Sequence, residues 1–276
     1  MKNREPIAAG SFYPNDKEIL KDQVIKYLLK ASLKISNNKL RILIVPHAGY
    51  SFSGSVAGWG YKQIGKSSMD RIIILGVSHS AFFAGISIWD KGTWQSPLGK
   101  VGIDEEFSRA LIKKGIVQQN LSVQYQEHSL EVQLPFLQQI LENFKIIPIL
   151  IGQTDIETLE NLAENLAENF DKKTILIVSS DLSHYPSYEI AEKVDKATID
   201  GILSGKIEKF EQTIEKGLDQ FGVDTCACGA DAIKVAMLVV HILGIKEIKL
   251  IKYANSADAS GDKLRVVGYA AIGFYQ

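Results

Sequence analysis

The sequence predicts an α/β fold: a three-layer α/β/α sandwich around a mixed, mainly parallel central sheet. Three observations carry that expectation. Four aliphatic runs, Leu40 to Val45, Arg71 to Val77, Ile146 to Ile151 and Thr174 to Val178, are rich in β-branched residues and almost free of polar ones. Strands apolar on both faces must be covered on both, as in a parallel sheet between two helical layers. Amphipathic segments of helical length separate these runs. No repeat, low-complexity tract or Pro/Gly-rich linker divides the 276 residues, so one domain spanning residues 1–276 is expected.

Taken in order, Asn15 and Glu18 read as a capping box opening a helix with Leu20, Val24, Tyr27 and Leu28 on one face. The strand Leu40 to Val45 is closed by Pro46, and Gly49 to Gly60 follows as a glycine-rich segment. After the strand Arg71 to Val77, the stretch Ile86 to Val101, with Trp89, Trp94 and Pro97, reads as an inserted hairpin. Asp104 to Lys114 is a helix ending at Gly115. Helices over Leu130 to Leu141 and Ile156 to Phe170 flank the third run, and helices over Ser187 to Leu203, Ile207 to Lys216 and Gly229 to Leu243 follow the fourth. Glu247 to Ala254 and Leu264 to Phe274 read as strands joined by a turn at Ser260-Gly261-Asp262, forming an antiparallel edge.

Composition narrows the function. Hydrophobic residues make up 46% of the chain, ample for a packed core, and the formal net charge of -1 gives no electrostatic reason to expect nucleic acid or an anionic membrane as partner. Met1 to Pro6 lack the apolar stretch of a signal peptide, and the greasiest helical run, Val235 to Leu243, is too short to span a bilayer. The only cysteines, Cys226 and Cys228, are one residue apart, which makes no secreted disulfide framework. A cytoplasmic location is expected.

The polar residues are informative by position. His47 follows the first core strand and His79 the second, while Asp181 and His184 follow the fourth. Ligands of open α/β sheets bind beyond the carboxyl ends of the strands. A lone histidine after a strand is more often structural, but three of the chain's five histidines at equivalent ends point to one pocket. Cys226 and Cys228 precede a helix whose amino end favours a thiolate. The bland reading is two small buried hydrophobes; beside two histidines wanting a third ligand, metal binding is the better one. His128 opens a helix and either caps it or turns its ring into the pocket, whereas His241, on an apolar helix face, reads as a core histidine. No GxGxxG, Walker lysine or G-x-S-x-G elbow is present. A cysteine with His184 as a nucleophilic pair stays open.

The stretches Ala9-Gly10-Ser11-Phe12-Tyr13-Pro14, Pro46-His47-Ala48-Gly49-Tyr50, Glu127-His128-Ser129-Leu130-Glu131 and Ser180-Asp181-Leu182-Ser183-His184 resemble the Memo family, whose prokaryotic branch is the AmmeMemoRadiSam system protein B group. The resemblance runs from Ala8 to the C-terminus, with the motifs in order. It implies a fold similar to the LigB-type class III extradiol dioxygenases, which hold non-haem Fe(II) with two histidines and a glutamate. Memo proteins place a cysteine at the third position, so the implied ligands are His47, His79 and Cys228. His184, oriented by Asp181, becomes the acid/base candidate, and His128 lines the same pocket. Tyr50 is expected to hydrogen-bond the bound species, and Cys226 to stand beside the metal or compete as ligand. Fe(II) is the expected metal, with copper or zinc as alternatives, since a thiolate is softer than the carboxylate it replaces. The implied function is a metal-binding redox protein, related to a dioxygenase, acting on a small molecule or peptide. The branch name further implies AMMECR-type and radical-SAM proteins as pathway partners. The rival readings are a non-catalytic metal- or peptide-binding protein and a metal-free Cys/His hydrolase.

Overall fold

Alternation inside the aliphatic runs decides how the layers fill. The computed structural model describes residues 2–33, 39–65, 69–221 and 223–276. Successive side chains of a strand point to opposite faces. Leu43, Val45, Ile72, Ile74, Ile146, Ile175 and Ile177 accordingly enter one core with Leu20, Val56, Phe136 and Leu137. Their neighbours Ile42, Ile44, Ile73, Leu75, Ile147, Leu176 and Val178 enter a second core with Phe107, Leu162, Phe210 and Ile233.

The strands are β1 (Asn3–Arg4), β2 (Leu40–Val45), β3 (Arg71–Val77), β4 (Ile86–Ile88), β5 (Thr93–Ser96), β6 (Gly99–Ile103), β7 (Lys145–Ile151), β8 (Thr174–Ser179), β9 (Glu247–Asn255) and β10 (Gly268–Tyr275). The sheet order is β1-β5-β6-β7-β3-β8-β2-β10-β9, with β4 pairing beside this path to β7. Strands β6, β7, β3, β8 and β2 run parallel, and β10 and β9 close one edge antiparallel, as expected. Helices α1 (Lys17–Lys30), α2 (Tyr50–Lys62), α3 (Glu105–Lys113), α4 (Leu121–Tyr125), α5 (Leu134–Ile140), α6 (Ile156–Glu168), α7 (Tyr188–Leu203), α8 (Ile207–Phe221) and α9 (Ala230–Ile242), with the short α10 (Ala257–Ser260), complete a three-layer α/β/α sandwich of the expected LigB-like class.

Several local expectations shift. The N-cap of α1 is Asp16 rather than Asn15, its carboxylate accepting from the backbone N–H of Glu18 and Ile19, both at 2.9 Å. Only β5 and β6 form the expected hairpin; β4 instead pairs antiparallel with β7, Ile86 opposite Ile151. The last strand begins at Gly268 rather than near Leu264. His241 lies in the last turn of α9 and is exposed, not a core residue.

The glycine-rich segment is a helix. A Cβ on Gly54 or Gly58 would stand 2.5 Å or 2.7 Å from the Tyr27 side chain of α1, so glycines one turn apart let α1 and α2 approach closely. Packing overrides the intrinsic cost of glycine in a helix, on the order of 1 kcal/mol each.

Beneath β10, Asp195 of α7 is buried and accepts hydrogen bonds from Ser183 N at 2.9 Å and Tyr253 Oη at 2.8 Å. Burial outweighs these donors and raises its carboxyl to about 6. A carboxyl raised above its unfolded value binds its proton more tightly in the folded chain. Its contribution to stability is therefore full below about pH 4 and is lost as pH rises through about 6. Asp195→Asn is expected to remove a decline on the order of 2–3 kcal/mol across that window. Urea unfolding at several pH values measures it, and parallel curves for the two proteins would refute this origin of the slope.

Candidate metal centre

Three adjacent parallel strands deliver the site. β3, β8 and β2 are neighbours in the sheet, and the turns at their carboxyl ends carry His79, Asp181 with His184, and His47. Cys228 arrives from the turn before α9. Gly229, next in the chain, makes that approach possible. A Cβ there would lie 2.7 Å from Ser180 Cβ and 2.9 Å from the Ser179 carbonyl oxygen, against the end of β8. Its N–H instead donates to Ser180 Oγ at 2.9 Å.

The hydrogen bonds around His47 determine its tautomer. Its Nδ1 is 3.0 Å from Ser179 Oγ. That hydroxyl spends its one hydrogen on the Ser129 carbonyl at 2.7 Å and accepts from Gln133 Nε2 at 2.8 Å. The Gln133 amide is oriented in turn by donating to the Pro46 carbonyl at 3.1 Å. Ser179 can therefore only accept from His47, which places the proton on Nδ1 and leaves an Nε2 lone pair. Nε2 stands 3.4 Å from Cys228 Sγ. Complete burial, reinforced by His79 and His128, holds the imidazole well below its usual pKa, so it is neutral.

His79 has a different partner. Its Nδ1 lies 3.1 Å from Glu127 Oε1, and its backbone N–H donates to Glu127 Oε2 at 2.5 Å. Burial alone would raise the fully buried Glu127 carboxyl, but hydrogen bonds from His79 and the Ser129 N–H hold it far below the carboxylate range.

The Cys228 sulfur accepts from the Asp181 N–H at 3.3 Å. Burial, then the Asp181 carboxyl, pushes the thiol far above its usual pKa. The expectation that the helix end would favour a thiolate is thus reversed by burial. A bound cation reverses it again, since a coordinating thiol is deprotonated.

Donor atoms of His47, His79 and Cys228 all lie within 4.8 Å of one another. Metal–nitrogen bonds of about 2.0–2.1 Å and metal–sulfur bonds of about 2.3 Å on a tetrahedron separate donors by roughly 3.5 Å. The three residues fit one ion after small rotations, with an open position left over.

The other expected site residues divide. His128 turns inward, its ring 5.1 Å from that of His79 and 5.6 Å from that of His47, stacked on Phe12 at 4.2 Å. His184 borders the site with a buried Nε2 lacking a hydrogen-bond partner among the described residues, and burial lowers its pKa. Asp181 does not hydrogen-bond to His184. Its Oδ1 instead accepts from the His47 N–H at 2.8 Å and the Ala48 N–H at 3.3 Å, which ties the β2 and β8 turns together. Tyr50 and Cys226 are not brought to the cluster. The Tyr50 hydroxyl donates to the Val132 carbonyl at 2.6 Å, and the Cys226 thiol faces the Ile214 carbonyl of α8 in a small apolar cluster with Val194 and Val223. Burial raises the Cys226 thiol to about 11.

Sequence reasoning did not assign Glu127, Ser179 or Gln133 these roles. Glu127 stands inside the quoted Glu127-His128-Ser129 stretch, so its presence was visible while its partner, 48 residues away, was not.

A family model described as "Memo-like protein" matches residues 4–273. A MEMO1 family protein of Methanopyrus kandleri is 36% identical over 285 residues, covering 98% of both chains. One from Caldivirga maquilingensis is 34% identical over all of both chains, and one from Sulfolobus acidocaldarius 36% identical, covering 98% of this chain and 99% of that one. Among solved structures, an uncharacterized protein of Escherichia coli K12, JW3007, is similar with a TM-score of 0.55 and 11% identity. It covers 84% of this chain and 99% of its own, which speaks to the fold alone.

Proposed function

The chain belongs to the Memo family, and from that premise we propose that it is a metal-binding redox protein holding one ion through His47, His79 and Cys228. The observation that supports this most is the pair of histidines with Nδ1 engaged, whose donor atoms lie within 4.8 Å of each other and of a half-buried sulfur. Fe(II) is the first expectation and copper the second; zinc would suit the same donors. When bound, iron or copper would supply a redox couple and open positions for oxygen or substrate, whereas zinc would act only as a Lewis acid.

The protein's own residues then have distinct tasks. Asp181 holds the His47 turn in place through two backbone N–H groups. His184 and His128, on the rim of the site, are the groups that take or give a proton on a small-molecule substrate. A metal-free hydrolase draws no support, because the pKa values of both thiols are raised, which makes them poor nucleophiles. The family branch suggests AMMECR-type and radical-SAM proteins as pathway partners. The cytoplasm is the proposed location: both cysteines are free, and no described helix is long and apolar enough to cross a membrane.

Elemental analysis of protein purified without oxygen tests the proposal. One equivalent of iron or copper is expected, falling below about a tenth in His47→Ala while the fold is kept. Stoichiometric metal retained in that variant would sink the ligand assignment. No metal in the parent protein after reconstitution with Fe(II), copper and zinc would sink the function.

A further inference from the structure

We propose that Glu127 is the positioning residue of this centre: its carboxylate holds His79 as the Nδ1–H tautomer and so turns the Nε2 lone pair toward the metal. The inference rests on the metal-binding reading above and assigns a role to a residue outside the ligand set.

Three features carry it. Both Glu127 oxygens already accept backbone N–H groups, Oε2 from His79 and Oε1 from Ser129, so the carboxylate acts as acceptor and its 3.1 Å contact from Oε1 to His79 Nδ1 places the proton on Nδ1. The carboxylate cannot swing away, because it is fully buried and also accepts the backbone N–H groups of His79 and Ser129, at 2.5 Å and 2.9 Å. The residue's own carbonyl is held by Arg4 Nη2 at 2.6 Å. Glu127 thus fixes the ring orientation, tautomer and backbone of His79 together.

The two histidine ligands are therefore held unequally. His47 leans on the neutral hydroxyl of Ser179, His79 on a full negative charge. A carboxylate behind a ligating imidazole raises its basicity and strengthens its bond to the metal. The same Oε1 lies 3.3 Å from His128 Nδ1, so its charge also acts on the imidazole that faces both ligands. Donor atoms of His79, Glu127 and His128 lie close enough to hold an ion of their own. In the observed arrangement, however, Oε1 is already engaged by His79 Nδ1 and the Ser129 N–H.

The first test needs no variant. Nitrogen-15 NMR of imidazole-labelled, metal-free protein, with His79→Gln to assign the signals, should show His79 protonated on Nδ1. A His79 proton on Nε2 would overturn the proposal. The second test is Fe(II) affinity, measured without oxygen by chelator competition. Glu127→Gln is expected to weaken binding by about 10- to 100-fold, with the His79 proton moved to Nε2 in the metal-free variant. Parental affinity in that variant, or a second equivalent of Fe(II) that disappears with it, would overturn the proposal. A protein that takes up no metal would refute the function proposed above, while the tautomer measurement on metal-free protein would still decide the place of Glu127.

Discussion

Replacing Cys228 with alanine is expected to abolish stoichiometric metal binding and to remove most of the pH dependence of metal uptake from the residual affinity. The Cys228 thiol is half-buried, and desolvation, then the Asp181 carboxyl beside it, holds its pKa far above the usual thiol value. Only the thiolate is a ligand, so binding must expel that proton. Below the thiol pKa, apparent affinity should rise about tenfold per pH unit on this account. His47 contributes no proton in this range, since its depressed pKa leaves it already neutral. Fe(II) or Zn(II) titrations between about pH 7 and 9, on the parent and Cys228→Ala, read both effects. A parent affinity that is flat with pH would mean the sulfur is not the third ligand. The alanine also leaves the Asp181 N–H without its acceptor. Unfolding should be followed in parallel, with a loss of about 1–3 kcal/mol expected from that orphaned donor.

The largest loss of stability is expected away from the metal. Arg4 and Glu131 form a completely buried ion pair, Nη1 to Oε2 at 2.5 Å. The guanidinium nitrogens and carboxylate oxygens of the pair are all engaged. Arg4 Nε donates to the Gln124 carbonyl at 2.8 Å and Nη2 to the Glu127 carbonyl at 2.6 Å. Glu131 Oε1 accepts from the Ala8 N–H at 2.8 Å and the Tyr13 hydroxyl at 2.6 Å. Glu131→Gln leaves a buried guanidinium without its counter-charge, which costs about 3–5 kcal/mol, and Arg4→Met should cost a similar amount. Because each single change already breaks the pair, the double variant should lose little more than either one. Urea unfolding measures this cycle. A cost below about 1 kcal/mol for Glu131→Gln would show the pair to be dispensable.

This network also bears on function. It ties the segment around Ala8 and Tyr13 to the turn that carries Glu127 and His128, and the carbonyl of Phe12, from the same segment, accepts the Tyr50 N–H at 2.8 Å. The Phe12 ring then stacks on His128. The Glu131 variant should therefore loosen His128 as well as lower stability.

Tyr185 shows the same division between local signal and tertiary decision. It is the one non-glycine residue with a positive φ, 64°, among the described residues, and it follows His184 directly. Nothing in its sequence neighbourhood marks it. A left-handed tyrosine persists only where surrounding structure over-determines it. Here the Tyr185 N–H donates to the Val266 carbonyl, and Arg265 lies over its ring at 4.8 Å.

What the sequence determined by itself was whatever repeats over short distances or recurs at equivalent places. Uninterrupted aliphatic runs marked the core strands, and the turns after β2, β3 and β8 marked where His47, His79, Asp181 and His184 would gather. The tertiary structure alone decided which polar atoms meet. It separated Cys228 from Cys226, whose alternation within one short turn sends one sulfur to His47 and the other to α8. It gave Asp181 to His47 rather than to His184, and Glu127 to His79. It also made a helix of the glycines between Gly49 and Gly60, because their missing side chains are room for Tyr27. The physical reason is common to all four: backbone periodicity is a local property, whereas a buried hydrogen bond or close contact between residues far apart in the chain exists only after the sheet has brought them together.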